Sequence, residues 1–299
     1  MTYYLKKSDW LDPRKILKKT LLSKSDMPEG MSLGMLNMSN RLELQYDVLD
    51  RFASGKVIAD LGCGTGLLGL RALEAGAEFV YFVEVDEQMH HIISNVLPNK
   101  CDPNKIKIMH KDIENLTDED FDHSVDIAVS EFYGPRLFDE GYVSYVNHLK
   151  SLKAFEQTRF FPNKFGIDFY FYENIDFNDS RIWPPQPELI DHFKFMYKEK
   201  PFSAGNMSPL TAKGIKDKEP DFSITFDTRT LIFNNTFEFT YNRNTECLFL
   251  GRTYHCTGSA VKRTYNYMGW YLGADDHNKT FRIIIDRSND YNPLKLQLC

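Results

Sequence analysis

The sequence predicts an α/β protein in two parts: a doubly wound parallel-sheet domain, then an antiparallel, β-rich domain. Three observations carry this. Short apolar runs alternate with helix-patterned segments between residues 57 and 129, the signature of a parallel sheet with helices on its faces. A glycine-rich run, Gly62-Cys63-Gly64-Thr65-Gly66, follows the first apolar run at a strand-to-helix junction. After about residue 155 the chain turns aromatic and β-branched, often with period-two alternation, and helix patterns become scarce.

Taken in order, residues 12–23 have the pattern of a short amphipathic helix. Asp12 is placed to cap it, Pro13 suits its first position, and Ile16, Leu17, Thr20 and Leu21 share a face. The run "VIADL" (57–61) reads as a buried strand. The following "LLGLRALEAG" (67–76) reads as a helix stopped by Gly76. Next come a strand, "FVYFVEV" (79–85), a helix, "DEQMHHIISNVL" (86–97), and strands at "KIKIMH" (105–110) and "VDIAV" (125–129). The second part offers strands at "FGIDFYFY" (165–172), "FSITFD" (222–227), "TFEFTYN" (236–242), "CLFLGRTYH" (247–255), "TYNYMGWYL" (264–272) and "TFRIIID" (280–286). A proline-rich segment, "WPPQPELIDHFKFMYKEKP" (183–201), interrupts them as an arm or a helix.

Length and composition narrow the function classes. A chain of 299 residues, 42% hydrophobic and 26% charged, has room for two ordinary domains. No apolar run reaches the length of about 18 residues that a membrane helix requires, so no membrane role is expected. The N-terminus lacks the apolar core of a secretory signal. It has the lysines of a mitochondrial presequence, but also two aspartates and few arginines. The five cysteines form no CxxC pair and no Cys/His cluster with zinc spacing. Reduced thiols, a cytoplasmic location and no metal are therefore expected. A net charge of −6, with no basic stripe, argues against a nucleic-acid partner.

The glycine run points to a cofactor class. Asp60, Gly62, Gly64 and Gly66 lie between the first strand and the first helix, where glycines let the backbone turn tightly and approach a ligand. The spacing is GxGxG, whereas dinucleotide binders use GxGxxG. An acid inside the loop strand is awkward beside a pyrophosphate and suits a ligand carrying an ammonium group. Glu84, 22 positions after Gly62, ends the second strand, where a carboxylate can accept from both ribose hydroxyls. A loop acid, a strand-end acid and no phosphate cradle together describe S-adenosylmethionine. The bland alternative is a glycine-rich turn with surface acids.

At this point the chain resembles the class I S-adenosylmethionine-dependent methyltransferases, and within them the protein arginine methyltransferases, over residues 35–172. The resemblance implies a Rossmann-like methyltransferase domain over residues 35–155; the helical extension expected before it (1–34) is not covered by the resemblance. A β-barrel-like substrate domain (156–299) follows, with a possible dimerisation arm at about 178–220. The stretch "MLNMSNR" (35–41) falls where the family reads "MLxDxxR". This implies that Arg41 forks onto the carboxylate of the cofactor and that Met35 borders the substrate nitrogen. "DIEN" (112–115) falls where the family places a short "VEE" element, and the resemblance implies that Ile113 covers the adenine and Glu114 accepts from its amino group.

The most specific match is "SEFYGPRLFDE" (130–140), similar to the family's double-glutamate loop "SEWMGYxLxxE". It implies that Glu131 and Glu140 are the catalytic pair and that Phe132 and Tyr133 wall the substrate pocket. A guanidinium keeps its proton to a pKa above about 12, and its lone pairs are delocalised. One carboxylate can fix its plane while the other localises charge away from the attacking nitrogen. The implied acceptor is the guanidino nitrogen of arginine, in a protein, a peptide or a small molecule, and the implied assembly is a homodimer.

Departures from the family concern the acceptor side. Phe132-Tyr133 replaces Trp-Met, Met38 replaces an aspartate, and the nearest candidate for the family's Thr-His-Trp loop, "TYNYMGW" (264–270), has no histidine. They keep open a small-molecule N- or O-methyltransferase of specialised metabolism and, at a further remove, a catalytically silent cofactor-binding subunit.

Overall fold

A computed structural model describes residues 42–131, 141–173, 175–176, 186–199, 202–203, 218–228, 236–257, 260–285 and 294–299. The helix expected at 12–23 lies outside the described residues. Two compact units are present; among the described residues the first holds 42–131, 144–163, Thr257 and Ala260, and the second holds the rest.

The first unit contains helix α1 (Glu43–Phe52), strand β1 (Val57–Leu61), helix α2 (Leu67–Glu74), strand β2 (Phe79–Glu84), helix α3 (Glu87–Val96), strands β3 (Ile106–His110) and β4 (Ile127–Ser130), most of helix α4 (Tyr142–Lys150) and strand β5 (Arg159–Phe161). The sheet is parallel, in the order β3-β2-β1-β4-β5. Strands buried on both faces need continuous apolar runs. Accordingly Ile58, Val80, Phe82, Ile127 and Val129 form one core with Leu49 of α1, Leu68 of α2 and Ile93 of α3. Asp126 fixes the start of β4 against β1, because its Oδ2 accepts from the Val57 N–H at 2.9 Å and its Oδ1 meets Lys56 at 3.1 Å. Gly69 is needed for α2 to lie close to the sheet, since a Cβ there would come within 2.2 Å of the Phe82 ring.

The last two strands of this sheet differ from expectation. The fourth strand begins at Ile127, two residues later than the apolar run suggests. The sheet also gains β5, a strand of three residues whose Arg159 pairs with Ile127.

The second unit is antiparallel, as expected. One sheet has the order β7 (Phe202–Ser203), β11 (Ala260–Leu272), β10 (Cys247–Thr257), β6 (Lys164–Tyr172), β8 (Phe222–Asp227). The other has the order β13 (Leu294–Leu298), β12 (Thr280–Ile285), β9 (Thr236–Thr240). Aromatic rings fill the space between the sheets. Phe249 of β10 stacks on Phe169 of β6 at 5.1 Å and meets Phe239 of β9 at 4.6 Å, so the aromatic alternation visible in the sequence is core packing.

Helix α5 (Ile190–Glu199) in the proline-rich segment turns its lysines inward. Lys194 meets Glu246 at 3.1 Å, and Lys198 meets Asp276 at 3.1 Å and Asp275 at 3.4 Å. Leu189, Phe195 and Met196 are left 38%, 64% and 46% exposed.

Candidate active site

The strand order reverses between β1 and β4, since the chain runs outward through β2 and β3 on one side and to β5 on the other. Ligands of open α/β sheets bind at the carboxyl edge of such a switch point. Leu61 and Ser130 are paired across it. The residues that follow them are Gly62, which opens the glycine loop, and Glu131. The two motifs singled out from the sequence therefore leave the sheet side by side.

The loop is a tight backbone structure. Gly62, Gly64 and Gly66 all have positive φ (60°, 51° and 74°). At Gly66 a side chain would be strained by that φ and would also crowd Phe82 and Leu97, at 3.2 and 3.3 Å. The Cys63 N–H donates to the Val83 carbonyl at 2.9 Å, and the Gly66 N–H to the Cys63 carbonyl at 2.7 Å.

Two buried acids flank this loop. Asp60 is 2% exposed, and its Oδ2 accepts from the Gly69 N–H at 2.7 Å. It thus joins the end of β1 to the first turn of α2. Burial pushes its carboxyl up to about 8; the Gly69 hydrogen bond opposes the rise and the Glu84 charge adds to it. Glu84, 7% exposed, accepts from the Gly64 N–H on Oε2 at 2.7 Å and from the Asp86 N–H on Oε1 at 2.8 Å. Each carboxylate oxygen has a second lone pair beyond those bonds. Burial also raises the Cys63 thiol, which the neighbouring acids disfavour further as a thiolate, so this loop cysteine is an inert packing residue.

Segment 111–115 lies beside Glu84, because the Lys111 N–H donates to the Glu84 carbonyl at 3.1 Å. There Asp112 caps a one-turn helix by accepting from the Glu114 N–H at 3.0 Å. Ile113 is buried in that turn and Glu114 is exposed.

Glu131 is partly exposed, one residue beyond β4. The backbone just before it is held by α1, where the buried Gln45 side-chain amide donates to the Ser130 carbonyl at 3.4 Å. Helix α1 is itself held on α2. Arg71, almost fully buried, reaches Asp50 of α1 and Glu74 of α2, both at 2.6 Å.

Asp60, Gly62, Gly64, Gly66, Glu84 and the 113–114 turn are thus brought together at one sheet edge, with Glu131 across the switch point. Met35, Arg41, Phe132, Tyr133 and Glu140 lie outside the described residues. Sequence reading missed Gln45, the exposed Val85 next to Glu84, and a histidine pair at the same edge. Their only sequence signal is position, one or two residues from a strand end or on a helix that opens beside it.

Comparisons with known proteins agree with this architecture. Residues 58–150 match the family described as "Methyltransferase domain". Over 90 residues, 30% of this chain, the sequence is 38% identical to a probable protein arginine N-methyltransferase 6.1 of Oryza sativa subsp. indica. That stretch is 23% of the rice protein's own length. Among solved structures, a crystal structure of PRMT6 superposes with a TM-score of 0.60 at 15% identity, covering 89% of this chain and 98% of that one. The Trypanosoma brucei PRMT1 enzyme–prozyme heterotetrameric complex with AdoHcy gives a TM-score of 0.59 at 18% identity, covering 92% and 94%. Over residues 58–150 the chain therefore resembles a methyltransferase domain, and as a whole it shares the fold of the protein arginine methyltransferases.

Proposed function

We propose that this protein transfers a methyl group from S-adenosylmethionine to a guanidino nitrogen of arginine, carried by a protein, a peptide or a small molecule. The observation that carries this reading is the juxtaposition at the switch point. The glycine loop with Glu84 stands on one strand, and the first glutamate of the double-glutamate loop stands on its neighbour. When bound, the cofactor supplies an electrophilic methyl group on a sulfonium.

The residues present suit that cofactor. Both Glu84 oxygens retain lone pairs for the ribose hydroxyls, and their N–H bonds to Gly64 and Asp86 fix the carboxylate's direction. A pyrophosphate would face two acids at the same edge, so the donor set favours a cationic nucleoside over a dinucleotide. Asp60 orders the loop through Gly69, and an incoming ammonium group would favour ionisation of its carboxyl, opposing the rise that burial causes. Ile113 and Glu114 take the adenine, and Arg41 takes the carboxylate, by motif position.

On the acceptor side, Glu131 accepts from the guanidinium N–H groups and fixes its plane. Glu140 takes the second grip by motif position, and Met35, Phe132 and Tyr133 border the acceptor. Holding the reactants in attack geometry is worth roughly 7–11 kcal/mol in favourable cases. The product nitrogen then sheds one proton, which a neighbouring carboxylate can receive.

The surface of α5 supports a homodimer as the working assembly. A helix that spends its lysines on its own unit and presents Phe195 and Met196 outward offers an apolar face to a partner. Free thiols at Cys63, Cys101, Cys247 and Cys299 support a reducing, cytoplasmic compartment, and no helix among the described residues is long and apolar enough to cross a membrane.

Mass spectrometry tests the reaction. The protein is offered methyl-labelled S-adenosylmethionine with free arginine, arginine-containing peptides and a metabolite extract. Label on a guanidino nitrogen is the expected result. Label only on an oxygen or an aliphatic amine supports the second reading, a small-molecule methyltransferase, which the altered Phe132-Tyr133 pair favours.

A further inference from the structure

Two histidines that the proposed chemistry does not use stand next to Glu84. His110 ends β3 and is paired in register with Glu84. His90 lies in the first turns of α3, where its N–H donates to the Asp86 carbonyl at 2.9 Å. The two imidazoles stack, with centroids 4.6 Å apart and planes 12° from parallel. His110 Nε2 lies 3.1 Å from the Val85 carbonyl oxygen. A carbonyl only accepts, so that nitrogen carries the proton and donates. His90 is held below the usual imidazole range by burial and then by the neighbouring His110.

These contacts close a ring around one carboxylate. Glu84 Oε1 holds the Asp86 N–H at 2.8 Å, and Asp86 caps α3 by accepting from the Met89 N–H at 2.8 Å. Helix α3 carries His90, His90 stacks on His110, and His110 grips the carbonyl of Val85, the residue between Glu84 and Asp86. The backbone that aims Glu84 is therefore pinned from β3 on one side and from α3 on the other. Val85, the residue whose carbonyl His110 holds, is itself 59% exposed.

We propose that His110, braced by His90, is a positioning residue that aims the Glu84 carboxylate at the two ribose hydroxyls of the cofactor. This rests on the cofactor reading above. Stacking a second ring on the first restricts the imidazole's rotation and keeps Nε2 on the carbonyl. Losing that donor lets the turn relax, and the carboxylate then meets the hydroxyls less often. The effect belongs to binding, and it requires hydroxyls to be present on the ligand.

Calorimetry on the full chain with two ligands tests this. One is S-adenosylhomocysteine, and the other is its analogue lacking both ribose hydroxyls. His110→Phe keeps an aromatic ring for the stack and removes the donor. Its Kd for S-adenosylhomocysteine is expected to rise about tenfold, in the range of one lost hydrogen bond, while its Kd for the analogue stays within about twofold of wild type. His110→Gln, which restores a donor at the reach of Nε2, is expected to recover most of the loss. Unchanged affinity in His110→Phe, an equal loss for both ligands, or no recovery in His110→Gln overturns the inference. If His110→Phe does not fold, His90→Leu serves with the same two ligands. A loss confined to S-adenosylhomocysteine supports the brace, and no loss or an equal loss overturns it. Wild-type protein that binds neither ligand overturns the cofactor reading and this inference with it. Wild-type binding with unaffected variants overturns the inference alone.

Discussion

Asp60 combines near-complete burial with a backbone N–H on one oxygen, and burial lifts its carboxyl to about 8. In the unfolded chain the same group titrates near 4. Between about pH 4 and 8 the folded state therefore binds the extra proton, so stability attributable to Asp60 falls as pH rises through that window. Asp60→Asn keeps an oxygen for the Gly69 N–H and removes the titration. Its melting temperature relative to wild type is expected to climb from about pH 5 to about pH 8.5, and parallel pH profiles would contradict this. At this scale the sequence located the acids well, because GxGxG spacing and a strand end fix where Asp60 and Glu84 fall. It could not tell that one Asp60 oxygen is spent on Gly69, since that bond depends on how closely α2 approaches β1. Nor could it tell that His110 faces Glu84, since cross-strand register is a tertiary fact.

Among the elements, α3 depends on its cap. Asp86 accepts from the Met89 N–H at 2.8 Å and also donates its own N–H to Glu84, so helix start and proposed ribose acid share a residue. Asp86→Ala is expected to cost about 1 kcal/mol in urea unfolding, with Asp86→Ser retaining most of that. Equal losses for Ala and Ser would show that the cap contributes nothing. The elements that sequence reading placed were the ones with clean patterns, such as "VIADL" and "FVYFVEV". It left α1 and α4 unread for a physical reason. Helix α1 buries Gln45 and Tyr46 beside Val48 and Leu49, so polar atoms blur its stripe, and in α4 the face spaced i, i+4, i+7 by Tyr142, Val146 and Leu149 is masked in the sequence by the apolar Val143 and Tyr145 that flank it. Strand β5 is too short for any period to show, and its pairing with β4 is what defines it.

For the whole molecule, the change of texture near residue 155 revealed two parts, because a parallel sheet and an antiparallel one demand different residue patterns. The order of the antiparallel strands was beyond reach. Pairings such as β6 with β8, or β9 with β12, join segments separated by long stretches of chain and are selected by ring packing around Phe169, Phe239 and Phe249. Helix α5 was legible as an arm or helix, but its inverted orientation follows from Glu246, Asp275 and Asp276, which lie far away in sequence. If that apolar face joins two copies, Phe195→Glu should reduce the mass seen by light scattering from dimer to monomer at micromolar concentration. Wild-type protein that is already monomeric would contradict the homodimer, and a variant that remains dimeric would contradict this face as its interface.

The central claim is that Glu131, one residue beyond the strand paired with the glycine-loop strand, orients the methyl acceptor. Turnover of Glu131→Gln at saturating methyl donor tests it most directly, with S-adenosylhomocysteine binding as the control on the same sample. The expected result is an affinity for that ligand within about threefold of wild type and a turnover lower by about a hundredfold or more, the scale of losing one charge-placing group in an active site. Turnover equal to wild type, with binding intact, would contradict it.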